Sequence, residues 1–103
     1  MDPVINRIPE IYFKDAKGEN ELEIISNAIL ASNKDILDSI CDLVPMVKPQ
    51  IAFYEMLRHY GIKAFEETVA YAKSKGLVVI EDGKRNDIGN TATAYTQGHL
   101  GVF

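Results

Sequence analysis

Leu77-Val78-Val79-Ile80-Glu81-Asp82-Gly83-Lys84-Arg85-Asn86-Asp87 joins four consecutive apolar residues directly to a stretch carrying five charges. A continuous apolar run just after a helical pattern and its glycine predicts a parallel strand covered on both faces. The charges begin where that strand ends. While the chain stays extended, Asp82 and Lys84 project to one side, and Gly83 between them permits close approach. Ligands bind beyond the C-terminal ends of parallel strands in open α/β sheets and in barrels alike, so these charges occupy the place where chemistry is expected. A lysine held between carboxylates stays protonated and becomes a positioned proton donor. The competing reading is a solvated loop whose exposed ion pairs contribute ~0–1 kcal/mol each, because a bare DxKxxD pattern arises often by chance.

Upstream, Leu22, Ile25, Ile29, Ile36, Ile40 and Leu43 recur near helical spacing. They predict an amphipathic helix over residues 21–42, in which Asn33-Lys34-Asp35 leaves open a bend or two consecutive helices. The run Leu43-Val44-Pro45-Met46-Val47-Lys48-Pro49-Gln50-Ile51 reads as a second strand, ending near Lys48 because Pro49 cannot donate to a ladder. Residues 53–60 predict a short helix stopped by Gly61; Ile62, Phe65, Val69 and Ala72 form the stripe of another, ending at Gly76. Residues 90–99 allow a last helix, weakened at its end by Gly98 and Gly101. The order α-β-α-β-α implies parallel strands joined by helical crossovers, in a doubly wound sheet or a (β/α)8 barrel. A complete barrel takes ~250 residues, so this chain would supply about three of its eight units. No linker or repeat divides it, and residues 1–103 are expected to form a single incomplete domain.

The 103 residues are 47% hydrophobic and 25% charged, the composition of an ordinary soluble domain. A net charge of −4 and a pI near 5.1 disfavour broad nucleic-acid binding, while leaving room for a local basic cluster that holds one phosphorylated metabolite. The single cysteine, Cys41, excludes an internal disulfide or a cysteine-based zinc site and fits a reducing compartment, with the cytoplasm as the expected location. Apolar stretches of about four residues fall far short of the ~18–20 that span a bilayer, and the opening residues lack a secretory pattern. His59 and His99 read as isolated residues without a metal role. The charges between Lys14 and Glu21 read as an exposed loop, and Glu81, Arg85 and Asn86 as solvated loop residues. Tyr12-Phe13 and Phe53-Tyr54 are expected in core or covering contacts, and Cys41 as a small buried hydrophobe.

The string Val79-Ile80-Glu81-Asp82-Gly83-Lys84-Arg85-Asn86-Asp87-Ile88-Gly89-Asn90-Thr91-Ala92 resembles the third-strand signature of the orotidine 5′-phosphate decarboxylases, with DxKxxD followed by I-G-N-T. Val47-Lys48-Pro49-Gln50-Ile51-Ala52-Phe53-Tyr54-Glu55 is similar to the second-strand segment of the longer bacterial subgroup of that family. Met1-Asp2-Pro3 resembles the tail of the subgroup's G-L-D-P motif, which ends the first strand. The resemblance covers essentially the whole chain. It implies an α/β fold that is a partial (β/α)8 TIM barrel, roughly the first three β/α units with most of strand one missing.

The same resemblance implies decarboxylation of orotidine 5′-monophosphate to uridine 5′-monophosphate in de novo pyrimidine biosynthesis, without metal or organic cofactor. Lys48, Asp82, Lys84 and Asp87 would be the alternating charged tetrad, with Lys84 delivering a proton to C6 of the pyrimidine. Asp2 and Lys48 would contact the ribose. Asp87 and Thr91 would reach the neighbouring subunit's site, which implies a homodimer with shared sites. The family's phosphate-gripping arginine, base-binding residues and closing loop would fall beyond Phe103. The chain alone is therefore expected to be inactive, since remote binding energy is expressed at the reacting carbon. Two alternatives stand beside this reading. One is a magnesium-dependent sugar-phosphate decarboxylase or aldolase of the same superfamily, which Ile88-Gly89-Asn90-Thr91 disfavours. The other is a non-catalytic assembly fragment of a split barrel, paired with its remainder through exposed strand edges.

Overall fold

The computed structural model describes residues 1–101. A single 3-10 turn, Ile5–Arg7, leads into α1 (Glu10–Asp15) and the long helix α2 (Glu21–Ile40). Strand β1 (Met46–Val47) follows, then the short α3 (Ala52–Glu55), α4 (Arg58–Ser74), β2 (Val78–Val79) and α5 (Gly89–Leu100). The charged opening is thus partly helical, because Lys14 and Asp15 end α1 and Glu21 begins α2.

Helix α2 starts where Asn20 accepts the Glu23 N–H at 3.0 Å, satisfying one of the donors a helix leaves free at its N-terminus. It then runs unbroken past Asn33. That residue is buried, and its Nδ2 donates to the Tyr54 hydroxyl at 2.9 Å and to Thr68 Oγ1 at 3.1 Å. The polar break in the apolar stripe is therefore a hydrogen-bonded junction between α2, α3 and α4, and no bend is needed. Around it pack Ile29, Ile51, Leu57, Ala64 and Phe65, with the Tyr54 and Phe65 rings edge-to-face at 5.1 Å. Burial pushes the Tyr54 phenol up to about 12. A raised acid adds stability below its unfolded pKa, near 10, and loses it as pH climbs through the folded value. Urea midpoints are accordingly expected to fall between about pH 10 and 12, and to fall less in Tyr54→Phe.

The strands are parallel, with Met46 beside Val78 and Val47 beside Val79. The ladder runs Val78 N–H to Pro45 O (3.1 Å), Ile80 N–H to Val47 O (2.9 Å) and Asp82 N–H to Pro49 O (3.0 Å). Pro49 has no N–H to return to the Ile80 carbonyl, so the ladder skips one rung and resumes as a bridge between Gln50 and Asp82. On the outer side of β1 the Met1 amino group donates to Lys48 O at 2.8 Å, and Gln50 N–H donates to Met1 O at 3.3 Å. These two bonds are those of a parallel rung centred on Pro49.

Two expectations are corrected. Strand β2 is covered on one face only: Leu77 and Val79 turn toward α2 and α4 with Leu37, Val47 and Ala72. Val78 (58% exposed), Ile80 (45%) and Met46 (48%) lie open on the other face. Among the described residues the helices packed on the sheet cover one side of it, whereas the apolar run predicts two covered faces. Nor does Gly61 stop a helix, since α4 passes through it. The chain reverses before it, at Arg58 in the left-handed region (φ 59°). Gly61 is there for close packing: a Cβ would lie 1.8 Å from the Tyr54 carbonyl oxygen. Among the described residues no helix is long and apolar enough to cross a membrane.

Candidate functional site

Side-chain alternation places Met46, Lys48 and Gln50 of the first strand segment on the open face, beside Val78, Ile80 and Asp82 of the second. Lys48 and Asp82 meet at the C-terminal mouth, with Nζ 2.7 Å from Oδ2. The Lys48 ammonium, hydrogen-bonded to it, holds the Asp82 carboxyl below the usual range against the opposing effect of burial, and Lys84 and Gln50 add smaller pulls. The bond to Asp82 correspondingly raises Lys48, with Asp2 contributing more weakly. The lowered carboxyl favours the pair above its unfolded pKa, and this is lost as pH falls through the folded value. The raised ammonium favours it until pH climbs beyond the ordinary lysine range. The pair is charged throughout the neutral range.

The lysine that Asp82 grips is thus Lys48; Lys84, one alternation further on, is exposed at the same mouth. Gly83 between them is closely approached, as a Cβ there would lie 3.0 Å from Ile51 Cγ2. Asp2 is half exposed, its carboxylate 3.7 Å from the Met1 amino group, and its charge reaches Lys48. Asp87 stands apart from the Lys48–Asp82 pair: its Oδ1 accepts the Ile88 N–H at 2.8 Å, and Ile88 is 85% exposed. Thr91 is exposed in the first turn of α5. Asp2, Lys48, Asp82 and Lys84 therefore cluster, whereas Asp87 and Thr91 face outward beside them.

Three residues read as bland in the sequence anchor α5. Glu81 points to the helix side of the sheet and pairs with His99 Nδ1 at 2.5 Å. Arg85 pairs with Glu55 and lies over the Tyr95 ring, 5.8 Å from its centroid. Glu81 and Arg85 are half-buried rather than solvated, and His99 has a partner. These contacts close one end of a cleft of about 780 Å³ between α4 and α5, lined by Phe65, Val69 and Tyr95. The cleft lies on the helix side, away from Lys48 and Asp82. Among the described residues no three His, Cys, Asp or Glu side chains are gathered to hold a metal ion. Gln50 is the neighbour of this mouth that sequence reasoning missed; its backbone pairing with Asp82 depends on the inter-strand register.

A family model described as the orotidine 5′-phosphate decarboxylase / HUMPS family matches residues 25–102. An orotidine 5′-phosphate decarboxylase of Rhodopirellula baltica is 41% identical over 98% of this chain and 33% of its own length. One from Clostridium tetani is 42% identical over 97% of the chain and 33% of its own length. One from Deinococcus radiodurans is 49% identical over 65% of the chain and 25% of its own length. The chain spans about a third of the length of most of these curated relatives. No solved structure matches it.

Proposed function

The chain belongs to the orotidine 5′-phosphate decarboxylase / HUMPS family, and on that footing we propose that it carries the proton-donor segment of an enzyme converting orotidine 5′-phosphate to uridine 5′-phosphate. The observation that carries this is the Lys48–Asp82 pair at the mouth of two parallel strands, with Lys84 on the same face one alternation away. When the bond from C6 to the carboxyl carbon breaks, carbon dioxide leaves and the electron pair stays on C6. Lys84 supplies a proton to that carbon and then recovers one from water. Asp82 lies beside the departing carboxylate, and Lys48 both fixes Asp82 and, with Asp2, reaches the ribose. No step calls for a metal or organic cofactor.

A partial (β/α)8 barrel is the architecture that accommodates these features, with residues 1–103 as one incomplete domain. Helices on one face, an open apolar face opposite and a rung from Met1 beside β1 match three neighbouring barrel strands in the order first, second, third. A doubly wound sheet would carry helices on both faces. The exposed Asp87, Ile88 and Thr91 suit a homodimer in which each subunit completes its neighbour's site.

The test is release of carbon dioxide from carboxyl-labelled orotidine 5′-monophosphate, with and without magnesium. It compares the 103-residue chain with a chimera in which this chain replaces the matching third of the Rhodopirellula baltica enzyme. Magnesium-independent release by the chimera and none by the chain alone is the expected pattern. A folded chimera that ignores orotidine phosphate would end this reading, and strict magnesium dependence would shift it toward the sugar-phosphate branch.

A further inference from the structure

We propose that Arg85 is a positioning residue of this site, fixing the backbone of Lys84 and so the direction in which that side chain leaves the mouth. The inference rests on the reading of Lys84 as proton donor given above. The bond from Ile51 N–H to Asp82 O, at 3.0 Å, is the last that ties this segment to the strand beside it. Among the described residues, no backbone N–H or carbonyl from Gly83 to Asp87 is bonded to backbone elsewhere. A lysine ammonium on its flexible stem reaches a defined point only if the peptide it springs from is held. Here a side chain does the holding: Arg85 Nη1 donates to the Lys84 carbonyl at 2.9 Å.

A bond from one residue to its neighbour fixes little unless the donor is itself anchored. Nη2 of the same guanidinium pairs with Glu55 Oε1. Its Cζ lies 5.8 Å from the Tyr95 ring centroid, within reach of a cation–π contact. The guanidinium is planar and its donors form a rigid fork, so an acceptor held at Nη2 restricts where the acceptor at Nη1 can lie. Glu55 ends α3 beside the fully buried Tyr54, and its own N–H bonds Ile51 O at 2.9 Å. The Lys84 carbonyl is thereby tied to the same stretch of chain, β1 through α3, that carries Lys48. Two consecutive cations divide the work: Lys84 is exposed at the mouth, while Arg85 is half-buried on the helix side and lines the cleft there. The simpler role to be distinguished is that Arg85 only anchors α5 through Tyr95.

NMR relaxation of the backbone amides of the intact 103-residue chain separates the two. The Arg85 N–H shares a peptide plane with the Lys84 carbonyl, so its order parameter reports on that carbonyl directly. In the parent it is expected near the ~0.85 of rigid backbone. It should fall toward about 0.6 in Arg85→Met, which has no donor, and by less in Glu55→Met, which has no carboxylate to hold the fork. Tyr95→Leu removes the ring, keeps both polar contacts and should leave this order parameter in place. In the chimera, Arg85→Met is expected to lower kcat by up to about 10²-fold, as misplacing a reacting group does, with KM changed only a few-fold. An unmoved order parameter in folded Arg85→Met overturns the proposal, as does an unchanged kcat. So does a fall in Tyr95→Leu as large as in Arg85→Met, or a parent value already below about 0.6. If Arg85→Met does not fold, an unmoved value in Glu55→Met overturns it instead. An unsubstituted chimera that releases no carbon dioxide would retire the decarboxylase reading, while a loosened Lys84–Arg85 peptide in these variants would still establish the hold of Arg85 on Lys84.

Discussion

Lys84→Ala in the chimeric barrel is expected to lower carbon dioxide release by about 10²–10⁴-fold, the range over which a positioned general acid contributes. Lys84 is the charge at the mouth that Asp82 leaves available, since Asp82 bonds Lys48 at 2.7 Å. On the proposed reading it is therefore the group that presents a proton to C6. Lys84→Arg should not restore the rate, because a guanidinium gives up its proton too reluctantly and its planar head cannot take the position of an ammonium. The loss should appear in kcat, with KM changed far less, since the ribose contacts assigned to Lys48 and Asp2 remain. Measuring both constants at several pH values checks this, and a Lys84→Ala chimera retaining activity within a few-fold would remove Lys84 from the donor role.

Gly61→Ala is expected to destabilise the chain by about 2 kcal/mol or more, as overpacking against a rigid neighbour does. The added Cβ would lie 1.8 Å from the Tyr54 carbonyl oxygen, 2.7 Å from its carbonyl carbon and 2.8 Å from Leu57 Cβ. Two of these are backbone atoms, so no rotamer change relieves the contact. Helix α4 must withdraw from α3, parting Tyr54 and Leu57 from Ala64 and Phe65 in the main core. Alanine's better helix propensity offsets only about 1 kcal/mol of this. Gly98→Ala is the control: nothing lies within 4 Å of its Cβ position, so the same exchange in α5 should stabilise by roughly 0.5–1 kcal/mol. Urea unfolding of both variants measures the difference. A Gly61→Ala chain as stable as the parent would mean that α3 and α4 do not approach as closely as the structure has them.

Apart from the six-residue α1, where the sequence reads as loop, the order of helices and strands was legible because the longer elements carry their own periodicity. The stripe through Leu22, Ile25 and Ile29 makes a helix wherever it is placed, and four consecutive apolar residues before Glu81 make a strand. The position of the charged mouth was legible for the same reason, since Asp82 and Lys84 follow β2 directly in sequence. Asn33 and Gly61 could not be read that way. A buried asparagine resembles a helix break until Tyr54 and Thr68 stand beside it, and a packing glycine resembles a stop signal until the Tyr54 carbonyl does.

What the chain encodes locally is therefore secondary structure and the identity of the charges at the strand end. Which lysine Asp82 holds, and that Gln50 is the residue paired with Asp82, follow from the register of two strands separated by the whole of α3 and α4. Register is decided by which side chains are buried together, and the skipped rung at Pro49 leaves it unchanged. Pairing Val47 with Val79 places Gln50 opposite Asp82 and the Lys48 ammonium within 2.7 Å of its carboxylate; a slip of one residue would turn every one of these side chains to the other face.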